Sequence, residues 1–96
     1  MTILLNQVNA NTVSDTINSN GGKAVVFVRG DNFGSGTVDI EVAAGSDPSS
    51  RYTVLTDASF TENGQKTLDY LPAGTKLRAN LSGATGASNV FVEINQ

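Results

Sequence analysis

Residues 70–94, YLPAGTKLRANLSGATGASNVFVEI, contain two strand patterns separated by a loop of small residues. In both segments the apolar side chains occupy every second position: Leu77, Ala79, Leu81, and then Val90, Val92, Ile94. This period gives each strand one face to bury. The stretch therefore predicts the last hairpin of a small all-β domain.

The rest of the chain extends this pattern. Turn residues such as Gly, Asn, Pro and Ser separate seven predicted strands, at residues 2–8, 24–29, 36–43, 52–56, 66–71, 75–81 and 89–95. Residues 11–20 fit either one helical turn or a ragged strand, and their Asn, Ser and Thr content favours strand or loop. We expect one domain over residues 1–96, an antiparallel β-sandwich or small barrel of jelly-roll type with about seven or eight short strands.

Two turns are predicted from their residue types. Asn63-Gly64 suits the positive φ angles of a two-residue hairpin. Pro72-Ala73-Gly74 is predicted to connect two alternating segments, because proline presets φ at the start of a turn and glycine accepts a positive φ.

Composition excludes most catalytic chemistry. The chain has no Cys and no His, and so it lacks a thiolate nucleophile, an imidazole base and the usual transition-metal ligands. The acids are scattered singly, and Asp39 and Glu41 are predicted on the solvent face of a strand. We therefore expect no enzymatic activity, no cofactor and no metal.

Charge and the first residues restrict the partners. The net charge of −3 and the dispersed Lys and Arg residues argue against binding to nucleic acid. The N-terminal residues MTILLNQV lack the positive region and the apolar core of a signal peptide, and they are too short to span a membrane. We expect synthesis in the cytoplasm of the producing cell and no membrane partner.

The run Ala24-Val25-Val26-Phe27-Val28 is apolar on both faces of its predicted strand. Two interpretations remain open: an interior strand whose outer face is covered by a loop, or a strand at a subunit interface. The same choice applies to Phe91. A chain of 96 residues has a small core, which favours a homo-oligomer. Val25, Phe27 and Phe91 are the predicted subunit contacts.

Two other motifs have a plain structural interpretation. Arg29-Gly30-Asp31 spells the integrin-ligand tripeptide, but we interpret it as the end of a strand, with Gly30 allowing a turn or bulge and Asp31 capping the loop backbone. Tyr52 and Phe33 could flank a carbohydrate site, although aromatic residues of a small β-domain more often belong to the core.

Residues 70–85 and 89–94, with a Leu-Pro-x-Gly turn, an alternating strand, a Ser-Gly-Ala loop and a last strand, resemble the C-terminal segments of small virion proteins of tailed bacteriophages. The resemblance implies an accessory capsid protein, such as a decoration, cement or head-fibre protein, located in the virion and often trimeric. Its partner would be the major capsid protein, and we predict the capsid contact at Thr2, Ile3, Leu4 and Leu5. The alternative is a carbohydrate-binding or adhesive β-module of a fibre or surface protein.

Overall fold

The computed structural model describes residues 2–96, which form an all-β structure, as predicted. Its strands are β1 (Thr2–Val8), β2 (Thr12–Val13), β3 (Ile17–Asn18), β4 (Ala24–Arg29), β5 (Thr37–Ala43), β6 (Thr53–Phe60), β7 (Gly64–Leu68), β8 (Lys76–Ser82) and β9 (Val90–Asn95). Residues 11–20 therefore contain two short strands rather than a helical turn. Between residues 2 and 96 there is no helix long and apolar enough to cross a membrane.

The strands form two antiparallel sheets. Sheet A has the order β1-β9-β4-β7, and sheet B has the order β2-β8-β5-β6, with β3 also paired to β8. Since β2 and β3 pair with opposite ends of β8, they act as one interrupted edge strand. The pairs then nest around the β5–β6 connection: β5 with β6, β4 with β7, β2/β3 with β8, and β1 with β9. This nested order is that of a jelly-roll sandwich.

The core lies between the inner faces of the two sheets. β8 contributes Leu77, Ala79 and Leu81, which are at most 1% exposed, as the alternating pattern predicts. The same pattern in β9 buries Val90, Val92 and Ile94, and the other sheet positions of the core are Val26, Val28, Val38 and Ile40. β4 is an interior strand of sheet A, between β9 and β7. Its inward valines account for one of the two apolar faces seen in the sequence.

The predicted hairpin between the last two strands is wrong. β8 belongs to sheet B and β9 to sheet A, so the two strands lie across the core from each other. The intervening loop crosses between the sheets with positive φ angles at Gly83, Gly86 and Asn89. Alternation identifies the buried face of a strand but not its hydrogen-bonded neighbour, and this is why the pattern misassigned the pair.

The two predicted turns had different outcomes. Pro72 accepts a hydrogen bond from the N–H of Thr75 at 3.2 Å, and Gly74 has a φ of +85°, so the predicted turn is confirmed. It nevertheless joins strands of different sheets. The Asn63-Gly64 hairpin is wrong, because β6 and β7 also lie in different sheets and neither residue has a positive φ.

Asparagine side chains tie together loops 9–11, 30–36, 61–63 and 83–89, which we call the asparagine end of the sandwich. In each contact a carboxamide oxygen accepts a hydrogen bond from a backbone N–H of another loop: Asn9 from Asn89 at 2.9 Å, Asn11 from Ala84 at 2.8 Å, and Asn63 from Gly30 at 2.8 Å. These bonds satisfy backbone donors where no strand partner is present. They also hold the β8–β9 loop across the end of the sandwich.

At the opposite end the buried hydroxyl of Ser19 links three segments. It donates to the carbonyl of Leu71 at 3.1 Å, and it accepts from the N–H of Gly21 at 3.0 Å and from Nε2 of Gln96 at 2.9 Å. Because the buried hydroxyl is fully hydrogen-bonded, its burial does not carry the cost of an unsatisfied polar group. Ser19 therefore attaches the last strand and the β7–β8 loop to the β3–β4 loop.

Replacement of Gly34 by Ala should destabilise the asparagine end. Gly34 has a φ of +56°, and a Cβ there would stand 2.5 Å from the carbonyl oxygen of Thr85 and 2.6 Å from the nitrogen of Ala87. Gly22→Ala is the matched control, since Gly22 has a φ of +93° but no atom within 4 Å of a Cβ. We expect Gly22→Ala to lower the free energy of unfolding by about 1–2 kcal/mol through backbone strain. Gly34→Ala should cost about 1–3 kcal/mol more through overpacking.

Urea denaturation of the two variants and the parent protein measures this difference. Equal losses for Gly34→Ala and Gly22→Ala would show that the contact of residue 34 with the β8–β9 loop does not contribute.

Candidate assembly surfaces

The outer face of sheet A contains the three predicted subunit contacts. Val25 and Phe27 of β4 and Phe91 of β9 are half-buried there, on the side opposite the core. Phe27 pairs directly with Glu93, and Phe91 pairs with Arg29, so the two phenylalanines are diagonal neighbours on adjacent strands. We call Val25, Phe27 and Phe91 the apolar face. The structure thus brings the three predicted residues together on one surface.

Two charged residues that the sequence analysis did not select border the apolar face. The guanidinium carbon of Arg29 lies 5.6 Å from the ring centroid of Phe27, and the guanidinium donates to the carbonyl of Gly64 and to the side chain of Gln65. Glu93 lies directly opposite Phe27 on the neighbouring strand β9. Among the described residues, neither Arg29 nor Glu93 is in an ion pair. Their strand positions share parity with Phe27 and Phe91, which is the sequence signal that would have identified them.

The outer face of sheet B carries an internally bonded polar cluster beside two exposed valines, Val13 and Val54. Nε of Arg78 donates to Glu41 at 2.7 Å, and the amide of Asn80 donates to the same carboxylate at 3.3 Å. Ser59 donates to Asp39. Asp39 and Glu41 therefore lie on the outer face, as predicted, and each has its own partner. The two outer faces of the sandwich thus differ in chemistry.

The aromatic pair considered for a carbohydrate site does not form an exposed platform. Phe33 is only 8% exposed and packs in the core. Tyr52 is half-buried, its ring is covered by the Arg78 guanidinium at 3.8 Å from the centroid, and its hydroxyl is hydrogen-bonded to Thr16. A sugar ring stacks on an open aromatic face, and neither ring presents one.

The sheet edges carry features that oppose pairing with another strand. β1 contains two register shifts and a φ of +54° at Gln7, and the edge formed by β2 and β3 is interrupted. In β6, residues 55–58 oppose a single residue of β5, and Asp57 has a φ of +58°. In β7, Lys66 pairs with the fully buried Val26 and therefore lies on the inner side of the edge. Bulges, short strands and inward charges all protect edges.

The four residues predicted to contact a capsid do not share one environment. Thr2 and Ile3 are exposed, with Ile3 at 50%, and Leu4 is half-buried. Leu5 is 1% exposed and packs in the core, because it faces inward on β1 opposite Val92. The prediction for Leu5 is therefore wrong. Of the four, only Thr2, Ile3 and the half-buried Leu4 can contact another protein.

All three residues of the integrin-like tripeptide, Arg29-Gly30-Asp31, are hydrogen-bonded to other segments of the chain. Arg29 ends β4 and is bonded to β7, while the N–H of Gly30 donates to Asn63. The carboxylate of Asp31 accepts from the side-chain amide of Asn89 at 2.8 Å rather than capping the loop backbone. A shallow cleft of about 290 Å³ lies beside it, lined in part by Asp31 and Glu62. Residues 2–96 contain no group of three or more acidic side chains placed to hold a metal ion.

Asp47 is the residue whose acidity departs most clearly from its ordinary range. Hydrogen bonds from the Arg51 side chain at 3.0 Å and from the backbone N–H of Ser49 at 2.9 Å lower the pKa of Asp47. Because the pKa is lower in the folded protein than in the unfolded chain, the stabilising contribution of Asp47 is present at neutral pH. It is lost as the pH falls through the folded-state pKa.

A jelly roll by itself does not assign a function, since this architecture occurs in viral capsid domains, lectins and cupins. Comparison of the chain with family models, with curated proteins and with solved structures finds no significant match. The surfaces of the molecule are therefore the basis for a functional proposal.

The Arg78–Glu41 pair should stabilise the protein more than the Arg51–Asp47 pair. The side chains of Arg78 and Glu41 are 30% and 13% exposed, whereas the Arg51 side chain is 78% exposed. We expect a coupling energy of about 1–2 kcal/mol for Arg78–Glu41 in a double-mutant cycle of Ala variants. The exposed pair should show a smaller value, because solvent screens it. Equal coupling energies from urea denaturation would contradict this ranking.

The side-chain carbon signal of Asp47 should titrate below the usual range of an aspartate. Arg51→Gln should raise the pKa of Asp47, since the Arg51 hydrogen bond is the largest cause of its depression. Lys76→Gln is the control and should raise the pKa less, because Lys76 contributes only charge attraction. NMR titration of the three proteins measures the shifts, and a larger effect of Lys76→Gln would show that the assignment of causes is wrong.

Proposed function

We propose that the protein is a structural virion protein that decorates or cements the capsid of a tailed bacteriophage. In this role it binds the major capsid protein in many copies and self-associates, with a trimer as the assembly that the resemblance favours. Two features support the proposal: the resemblance of residues 70–94 to small accessory virion proteins, and a strand order that occurs in viral capsid domains.

The apolar face is the observation that carries the proposal. Phe27 and Phe91 are only half-buried in the monomer, and they lie beside Arg29 on a surface that the core does not use. Aromatic and arginine side chains are enriched in protein–protein contacts. On sheet B the corresponding residues already contact each other, because Arg78 stacks on Tyr52 and donates to Glu41. A surface of this kind suits a protein that works by assembly with other proteins.

Attachment to the capsid is proposed along the exposed side of β1. Thr2 and Ile3 lie on an edge strand, where Ile3 presents an apolar side chain that is 50% exposed. A single contact of this size is weak, but several linked copies multiply it, because each further attachment is intramolecular. Modest contacts are therefore sufficient for a cement protein that is present in many copies.

Mass spectrometry of purified particles tests the virion role. Phage particles from the strain that encodes the chain are purified on a density gradient, and the chain is quantified against the major capsid protein. We expect a constant ratio between the two proteins across the particle fractions, with abundant host cytoplasmic proteins as the measure of contamination. Absence of the chain from particles, when it is present in the lysate, would refute the virion role.

A matched pair of variants tests the attachment site. Ile3→Asp should reduce the amount of the chain on particles, because a carboxylate at the contact must be desolvated. Because Ile3 pairs with Glu93 beside the apolar face, the loss is assigned to the capsid contact only if the light-scattering mass of the variant equals that of the parent protein. Val54→Asp is the control, since Val54 is also an edge-strand residue and is 47% exposed, but lies on sheet B. Equal retention of the two variants on particles would place the attachment site elsewhere.

A further inference from the structure

The apolar face carries one positive and one negative charge without an ion-pair partner among residues 2–96. Arg29 and Glu93 stand on either side of the Phe27–Phe91 diagonal, on the outward positions of adjacent strands. The carboxylate of Glu93 has no hydrogen-bond partner within the described part of the chain, whereas Arg29 bonds only to neutral groups. An apolar centre bordered by one cation and one anion is complementary to itself.

We infer that the apolar face docks a second copy of this chain, with Arg29 of each copy paired to Glu93 of its neighbour. In a two-fold pair every copy supplies both partners, which gives two ion pairs around the stacked phenylalanines. In a closed ring of three the contact is instead head-to-tail, with Arg29 of each copy paired to Glu93 of the next and one ion pair at each contact. The inference deepens the proposed self-association, and its test requires no virion, so that the two proposals can fail separately.

A second copy fits this face better than another strand or a polar ligand. Each sheet edge carries a bulge, an interruption or an inward charge, so growth of the sheet by strand addition is opposed. A partner with a single net charge would leave either Arg29 or Glu93 desolvated and unpaired. Only a partner that also presents one cation and one anion satisfies both, and the face itself has this pattern.

The monomer exposes no more surface than a folded protein of its size, so association can be measured without unfolding. Its accessible surface is 5130 Å². A folded monomer of this mass is expected to expose about 5,200 Å². We therefore expect association to depend on concentration, with variants of the face remaining folded as monomers.

Light scattering over a dilution series tests the inference. The mass should exceed the monomer mass of 10.0 kDa at high concentration and reach two or three times that value. Phe27→Asp should weaken association by at least about 30-fold, as expected for a central aromatic contact. Val54→Asp, on the outer side of sheet B, is the control and should leave the mass unchanged.

Charge reversal separates the proposed pairing from simple hydrophobic association. Arg29→Glu and Glu93→Arg should each weaken association about 10-fold or more, because each places like charges in contact. Arg29→Glu also removes bonds to β7, so Glu93→Arg, which breaks no bond within the described chain, is the cleaner variant; circular dichroism checks that both are folded. The double variant should restore the parental mass.

Three results would overturn the inference. They are a protein that stays at 10.0 kDa up to about 1 mM, a mass that neither charge reversal changes, and a double variant that stays monomeric.

Discussion

Apolar contact between the inner faces of the two sheets is the constraint on which the rest of the structure depends. The inward side chains of β8 and β9 belong to one hydrophobic core and are almost fully buried. Each strand can satisfy this contact from only one face, because its side chains alternate. Burial in the core therefore does not restrict the outward side chains, and the two outer faces can differ in chemistry.

The two outer faces differ in how far their side chains are hydrogen-bonded within the monomer. On sheet B, Arg78 and Asn80 both donate to Glu41 of the neighbouring strand, so these polar groups are satisfied within the monomer. On sheet A, the phenylalanines remain half-buried while Glu93 lacks a partner within the described chain. The edges oppose strand addition, and the proposed self-association therefore rests on the outer face of sheet A.

Connections between the sheets explain why local turn signals were partly misleading. Proline and glycine at residues 72–74 form the expected turn, yet the turn leads across the core rather than into a hairpin. Asn63, expected in a tight turn, instead holds Gly30 of another loop through its carboxamide. Whether a turn forms a hairpin or leads to the other sheet depends on contacts with distant loops, and the residues of the turn alone do not reveal these contacts. Leu5 shows the same limit, because a bulge in β1 places it in the core.

The sequence by itself determined the all-β class, the buried faces of β8 and β9 and the outward position of Phe91, because alternation is a property of one strand at a time. In β4, which is apolar on both faces, the tertiary structure decided that Val25 and Phe27 point outward. The tertiary structure decided which strands pair, since pairing arises from contacts between segments far apart in the chain. It also decided the surroundings of the apolar face. Arg29 and Glu93 come together with the phenylalanines only because β4 and β9 are neighbours, a pairing between residues more than 60 positions apart.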